Sequence, residues 1–75
     1  MKQSRFPQPT PYEYVAGDYL LKEGVDLTEA EYYLEDIMDQ AAEDDDWDDY
    51  NYAAYIYAIL QENYQDKDHL NANYR

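Results

Sequence analysis

Glu31, Glu35, Asp39 and Glu43 recur at every fourth position, and the run Glu43, Asp44, Asp45, Asp46, Trp47, Asp48, Asp49 follows at once. Carboxylates at this density can hold a metal, share a proton in acid–base catalysis, or present fixed negative charge to a cationic surface. Asp44, Asp46 and Asp48 alternate as in a calcium-binding EF-hand loop. Asp49 then stands where that loop needs glycine, and Tyr55 where it needs a bidentate glutamate, so no dedicated metal site is expected. Paired-carboxylate catalysis needs a cleft that a 75-residue chain can scarcely enclose. Nucleophilic catalysis has only Ser4 and His69 to draw on, at opposite ends of the chain. His69, between Asp66 and Asp68, reads as an exposed tail histidine. We therefore expect no enzyme and no cofactor.

Fixed charge is what remains. The chain carries 18 acids against five bases, a net charge of −13, with no Lys or Arg between Glu23 and Asp66. On a helix, Glu31, Glu35, Asp39 and Glu43 form three like-charge i, i+4 pairs. Each costs about 0.2–0.5 kcal/mol, together about 1 kcal/mol. Ordinary solvated helices intersperse opposite charges instead, and solubility alone needs neither segregation nor such magnitude. From Glu29 to Glu43 six carboxylates (Glu29, Glu31, Glu35, Asp36, Asp39, Glu43) occupy about 21 Å of helix. That is one charge per about 3.5–4 Å, close to the phosphate spacing of a DNA strand, about 3.4 Å. Trp47, Tyr50 and Tyr52, beside the acidic run, are suited to anchor an interface or to stack on guanidinium groups. The expected binding surface is thus Glu31, Glu35, Asp36, Asp39, Glu43, Asp44, Asp45, Asp46, Asp48 and Asp49 with Trp47, Tyr50 and Tyr52.

In size, charge and expected helicity, the ladder Glu31, Glu35, Asp39, Glu43 and the run from Glu43 to Asp49 resemble the small acidic DNA-mimic inhibitors of phages and mobile elements. The resemblance covers about half the chain. It implies a blocker of the basic nucleic-acid groove of a restriction, CRISPR, repair or nucleoid protein, acting in the cytoplasm of a bacterial host. An acidic antitoxin or chaperone that neutralises one basic protein is the alternative. An oligomeric scaffold, or a homodimer formed through the tyrosines of the third expected helix, is a weaker one. A pI near 4.1 argues against nucleic acid or an anionic membrane as direct ligand.

These residues need elements to position them. The chain has no cysteine, and at this length it is one domain at most, with a modest core. Met1 to Thr10 lacks an apolar run and no stretch is long and apolar enough to span a bilayer, so a soluble chain is expected. High charge is also the signature of disorder, but a chain that is 17% aromatic with regularly spaced apolar residues is expected to fold. Residues 1–9 read as a flexible arm. Thr10-Pro11-Tyr12-Glu13 reads as a capping box, with Tyr12, Val15, Ala16, Tyr19 and Leu20 on one helical face and Gly24 as the stop. A second helix is expected from Glu29 to Ala42 or Glu43. Its cap would be Thr28, its staple Leu27 with Tyr32, and its stripe Ala30, Tyr33, Leu34, Ile37, Met38 and Ala41. A third, capped by Asp46, is expected from Trp47 to about Tyr64, with Tyr50, Ala53, Ile56, Tyr57, Leu60 and Tyr64 on one face. Residues 66–75 read as a polar tail. The architecture predicted is an all-α, three-helix bundle over residues 10–65.

Overall fold

The computed structural model describes Phe6 and residues 9–73, with side chains as far as Tyr64. The arm expected over residues 1–9 therefore lies largely outside the described residues. Four elements follow in order: strands β1 (Tyr12–Val15) and β2 (Asp18–Leu21), then helices α1 (Leu27–Glu43) and α2 (Trp47–Asn73). The three-helix, all-α bundle is overturned. The fold is a helical hairpin carrying a two-stranded antiparallel sheet, and the segment expected as a first helix is the sheet.

The reason lies at Ala16 and Gly17. Both have positive φ, 53° and 92°, the pattern of a type I′ turn, whose twist suits a two-residue hairpin. Strand pairing sets Tyr12 opposite Leu21 and Tyr14 opposite Tyr19. The two-residue period then collects Tyr12, Tyr14, Tyr19 and Leu21 on one face and leaves Val15 and Leu20 exposed on the other. Tyrosine, valine and leucine at these positions satisfy either period, and the turn decides between them. Thr10 does not cap a helix; its hydroxyl donates to the Tyr12 carbonyl. Gly24, at φ 84°, serves a tight turn closed by Val25 N–H to the Lys22 carbonyl at 3.1 Å, not a helix stop.

Helix α1 starts two residues before the expected position. Asp26, with extended backbone, is its N-cap residue, and its carbonyl accepts Ala30 N–H at 3.2 Å, so Thr28 is inside the helix. The Leu27–Tyr32 staple does not form, since Tyr32 is 67% exposed. The stripe itself is the buried one: Ala30, Leu34 and Ile37 meet Ala53, Ile56 and Leu60 of α2 in the core, and Ala41 is buried further along α1. Tyr12 and Tyr19 of the sheet complete that core. Helix α2 continues past Tyr64 to Asn73, through most of the segment expected as a tail.

The sheet is held on α2 by polar contacts along the free edge of β2. Leu21 N–H donates to the Tyr64 hydroxyl at 3.1 Å, and the Tyr19 carbonyl accepts from Asn63 Nδ2 at 3.2 Å. A strand edge would otherwise expose unpaired peptide groups, and α2 side chains satisfy them here. On β1 the peptide groups of Tyr14, in a non-hydrogen-bonded pair with Tyr19, point away from β2.

Candidate functional site

One helical turn is 3.6 residues, so each i, i+4 step rotates about 40° around the axis. The ladder on α1 is therefore a spiral, and it divides. Its first two rungs reach the seam with α2: Glu31 accepts a hydrogen bond from Gln61 Nε2 at 3.0 Å, and Glu35 accepts one from the Tyr57 hydroxyl at 3.0 Å. The last two rungs, Asp39 and Glu43, have rotated into water, beside Asp36. Glu29, Asp36, Asp39 and Glu43 lie within about 80° of one another on the face opposite the buried stripe, with exposed Tyr32 among them. Asp36 accepts from Gln40 Nε2 at 3.1 Å on that same face.

The turn between the helices extends the acidic face. Asp44 is the C-cap of α1 and Asp45 follows in the left-handed region at φ 56°. Asp45 N–H donates to the Ala42 carbonyl at 3.2 Å and Asp46 N–H to the Ala41 carbonyl at 2.7 Å, a Schellman motif with aspartate in the position glycine usually fills. Asp46 then caps α2: its Oδ1 accepts Asp49 N–H at 3.4 Å, and the residue is 6% exposed. The expected cap is thus in place, on a buried aspartate. Asp44, Asp45 and Asp48 are exposed, and Asp49 is half-buried. Among the described residues no group of three acidic or histidine side chains converges as a metal site.

Of the aromatic anchors, Trp47 is exposed and packs edge-on against half-buried Tyr50 at 5.2 Å. Tyr52 is exposed but faces away from the acidic stripe, toward the sheet. Its hydroxyl shares a hydrogen bond with that of Tyr19, and its ring stands at 83° to Phe6 at 5.1 Å. Around this pair opens a cleft of about 340 Å³ lined by Phe6, Tyr12, Tyr14, Tyr19 and Tyr52, with Thr10, Glu13 and Lys22 at its polar positions. Sequence reasoning missed it, because a helical reading separates Tyr14 from Tyr19. The available signal was the alternation Tyr12, Tyr14 and Tyr19, Leu21 across Ala16-Gly17.

Burial shapes the tyrosine chemistry. Desolvation, reinforced by neighbouring tyrosines, raises Tyr12 well above the ordinary tyrosine range, and desolvation followed by the hydrogen bond to Tyr52 does the same for Tyr19. Tyr33 is raised by burial alone. Tyr57 is raised by burial first, then by its bond to Glu35 and the charges of Glu31 and Glu35. All four are held as neutral phenols. The hydroxyls of Tyr12 and Tyr33 are buried without a hydrogen-bond partner among the described residues.

Comparison of the chain with protein-family profiles, with curated proteins and with solved structures finds no match. Among the described residues no helix is long and apolar enough to cross a membrane.

Proposed function

We propose that this chain is a non-enzymatic inhibitor that occupies the basic nucleic-acid groove of a host-defence or DNA-processing protein, offering carboxylates where phosphates would lie. One observation carries the reading: the outward face of α1, the turn that follows and the first turn of α2 bear Asp36, Asp39, Glu43, Asp44, Asp45 and Asp48 with no base among them. An array of one sign steers a cationic partner from a distance and pairs with it on arrival. Glu31 and Glu35 take a different part in this scheme, tying α1 to α2 so that the array is rigid. Asp46 is a cap, not a contact.

The test is competition with DNA for basic DNA-binding enzymes, measured at low and moderate salt. Asp36→Asn, Asp39→Asn and Glu43→Gln together are expected to weaken competition, and to make what remains less sensitive to salt. Unchanged competition would refute the mimicry. A partner that loses some activity other than DNA binding would instead mark the chain as a sequestering antitoxin.

A further inference from the structure

The acidic stripe accounts for the charge of the molecule but not for the aromatic cleft between the sheet and Tyr52 of α2. Three ring pairs there stand nearly perpendicular: Phe6 with Tyr52 at 83°, Tyr12 with Tyr19 at 83°, and Tyr19 with Tyr52 at 82°. Tyr14, 61% exposed, leans on Tyr19 at 4.9 Å and leaves much of its own ring to solvent. Rings set at right angles present both edges and faces to one volume, and the faces carry the negative lobe that attracts cations. The cleft, about 340 Å³, is near the small end of ligand-sized sites.

Its polar groups narrow the choice of cation. Glu13 is at its margin, but the strand alternation turns its side chain to the opposite face of the sheet, with Val15 and Leu20. The strand register supplies an acceptor: because Leu21 N–H points outward to Tyr64, Tyr12–Leu21 and Tyr14–Tyr19 are the non-hydrogen-bonded pairs, and the Tyr14 carbonyl lies on the open edge of β1. A planar cation with several donors can stack on a tyrosine face while bonding to that carbonyl. Guanidinium meets that description and a compact ammonium does not. Lys22, on the rim, is a like charge that such a ligand must tolerate.

We propose that this cleft receives an arginine side chain of a basic protein partner. It rests on the acidic-inhibitor reading above only for the source of that arginine; the recognition chemistry is the cleft's own. The overall charge of −13 favours a cationic occupant over an anionic or neutral one.

The experiment is a titration of the full chain with N-acetyl-arginine amide, followed by NMR of the aromatic rings, against N-acetyl-citrulline amide and N-acetyl-lysine amide. Arginine is expected to shift Phe6, Tyr14, Tyr19 and Tyr52 saturably, with citrulline inert and lysine weaker. Tyr14→Ala is expected to weaken binding by about two- to fivefold, the usual scale of an exposed cation–π contact. Lys22→Gln is expected to tighten it. Equal response to citrulline, or shifts of Phe6, Tyr19 and Tyr52 that are undiminished by Tyr14→Ala, would overturn the assignment. The variant Asp36→Asn, Asp39→Asn, Glu43→Gln separates the two readings: if it loses DNA competition while arginine still fails to shift the rings, the cleft assignment falls and the groove-blocking function stands. If it keeps DNA competition while arginine shifts the rings, the reverse holds.

Discussion

The Tyr57 hydroxyl donates to Glu35 Oε2 at 3.0 Å across the two helices, so a residue of the acidic ladder is a structural acceptor. Asp39, one rung on, is exposed and adds to the crowding of like charge. The two therefore differ in sign. Glu35→Ala is expected to lower stability by up to about 1 kcal/mol, the scale of a partly exposed hydrogen bond. Asp39→Asn is expected to raise it by a few tenths, and to do so less as salt screens the repulsion. Urea melts of both variants at two salt concentrations check this. Equal effects would mean that the ladder is a uniform charged face after all.

Alkali should unfold the protein for a reason that acid does not share. Tyr12, Tyr19, Tyr33 and Tyr57 all hold their protons more tightly folded than at the ordinary tyrosine value of 10.0. Above that value the unfolded chain releases protons that the folded chain keeps, so the unfolded state binds fewer and stability falls with rising pH. The tyrosine contribution is fully present below about pH 10 and is lost as pH climbs through the raised folded values. Tyrosinate absorbance, followed alongside circular dichroism, is expected to show these tyrosines ionising together with unfolding, after the exposed ones. Complete ionisation in a still-folded chain would contradict it.

Asp45 sits at φ 56° as the left-handed residue of a Schellman motif, next to the negative end of the α1 dipole. Both conformation and charge are unfavourable there. Asp45→Gly is expected to stabilise the fold by about 1 kcal/mol. Asp44→Gly, at φ −93°, has no such strain to relieve and serves as the control. Thermal melts of the pair decide it, and a gain at Asp44 equal to that at Asp45 would remove the conformational explanation.

How far the residues announce this fold depends on whether one period or two fit them. Ala30, Leu34, Ile37 and Ala41 fit only a helix, as do Ala53, Ile56 and Leu60, and all seven are buried. Asp46 was legible as a cap because an aspartate before Trp47 and three residues ahead of Asp49 has few other uses. The ladder was legible as a pattern but not as a division, since which rungs meet α2 depends on tertiary placement. Tyr12 to Leu21 fit a helix and a strand equally. Ala-Gly is not among the favoured hairpin pairs, so nothing local outvoted the helical reading, and with it the cleft of Phe6, Tyr14, Tyr19 and Tyr52 was hidden.

The hairpin turn can be tested by two neighbouring substitutions whose signs reverse between a turn and a helix. Ala16 is at φ 53°, where an L-residue with a Cβ is strained and asparagine is tolerated better. Ala16→Asn is therefore expected to stabilise by about 0.5–1 kcal/mol. Gly17 is at φ 92°, and a Cβ built there meets nothing within 4 Å, so the cost of Gly17→Ala is backbone strain alone, about 1–2 kcal/mol. In a helix the second change would stabilise by about 1 kcal/mol and the first would destabilise. Denaturant midpoints for the two variants thus discriminate without any structure determination. A gain for Gly17→Ala with a loss for Ala16→Asn would restore the helix and dismantle the sheet, the open edge of β1 and the arginine cleft together.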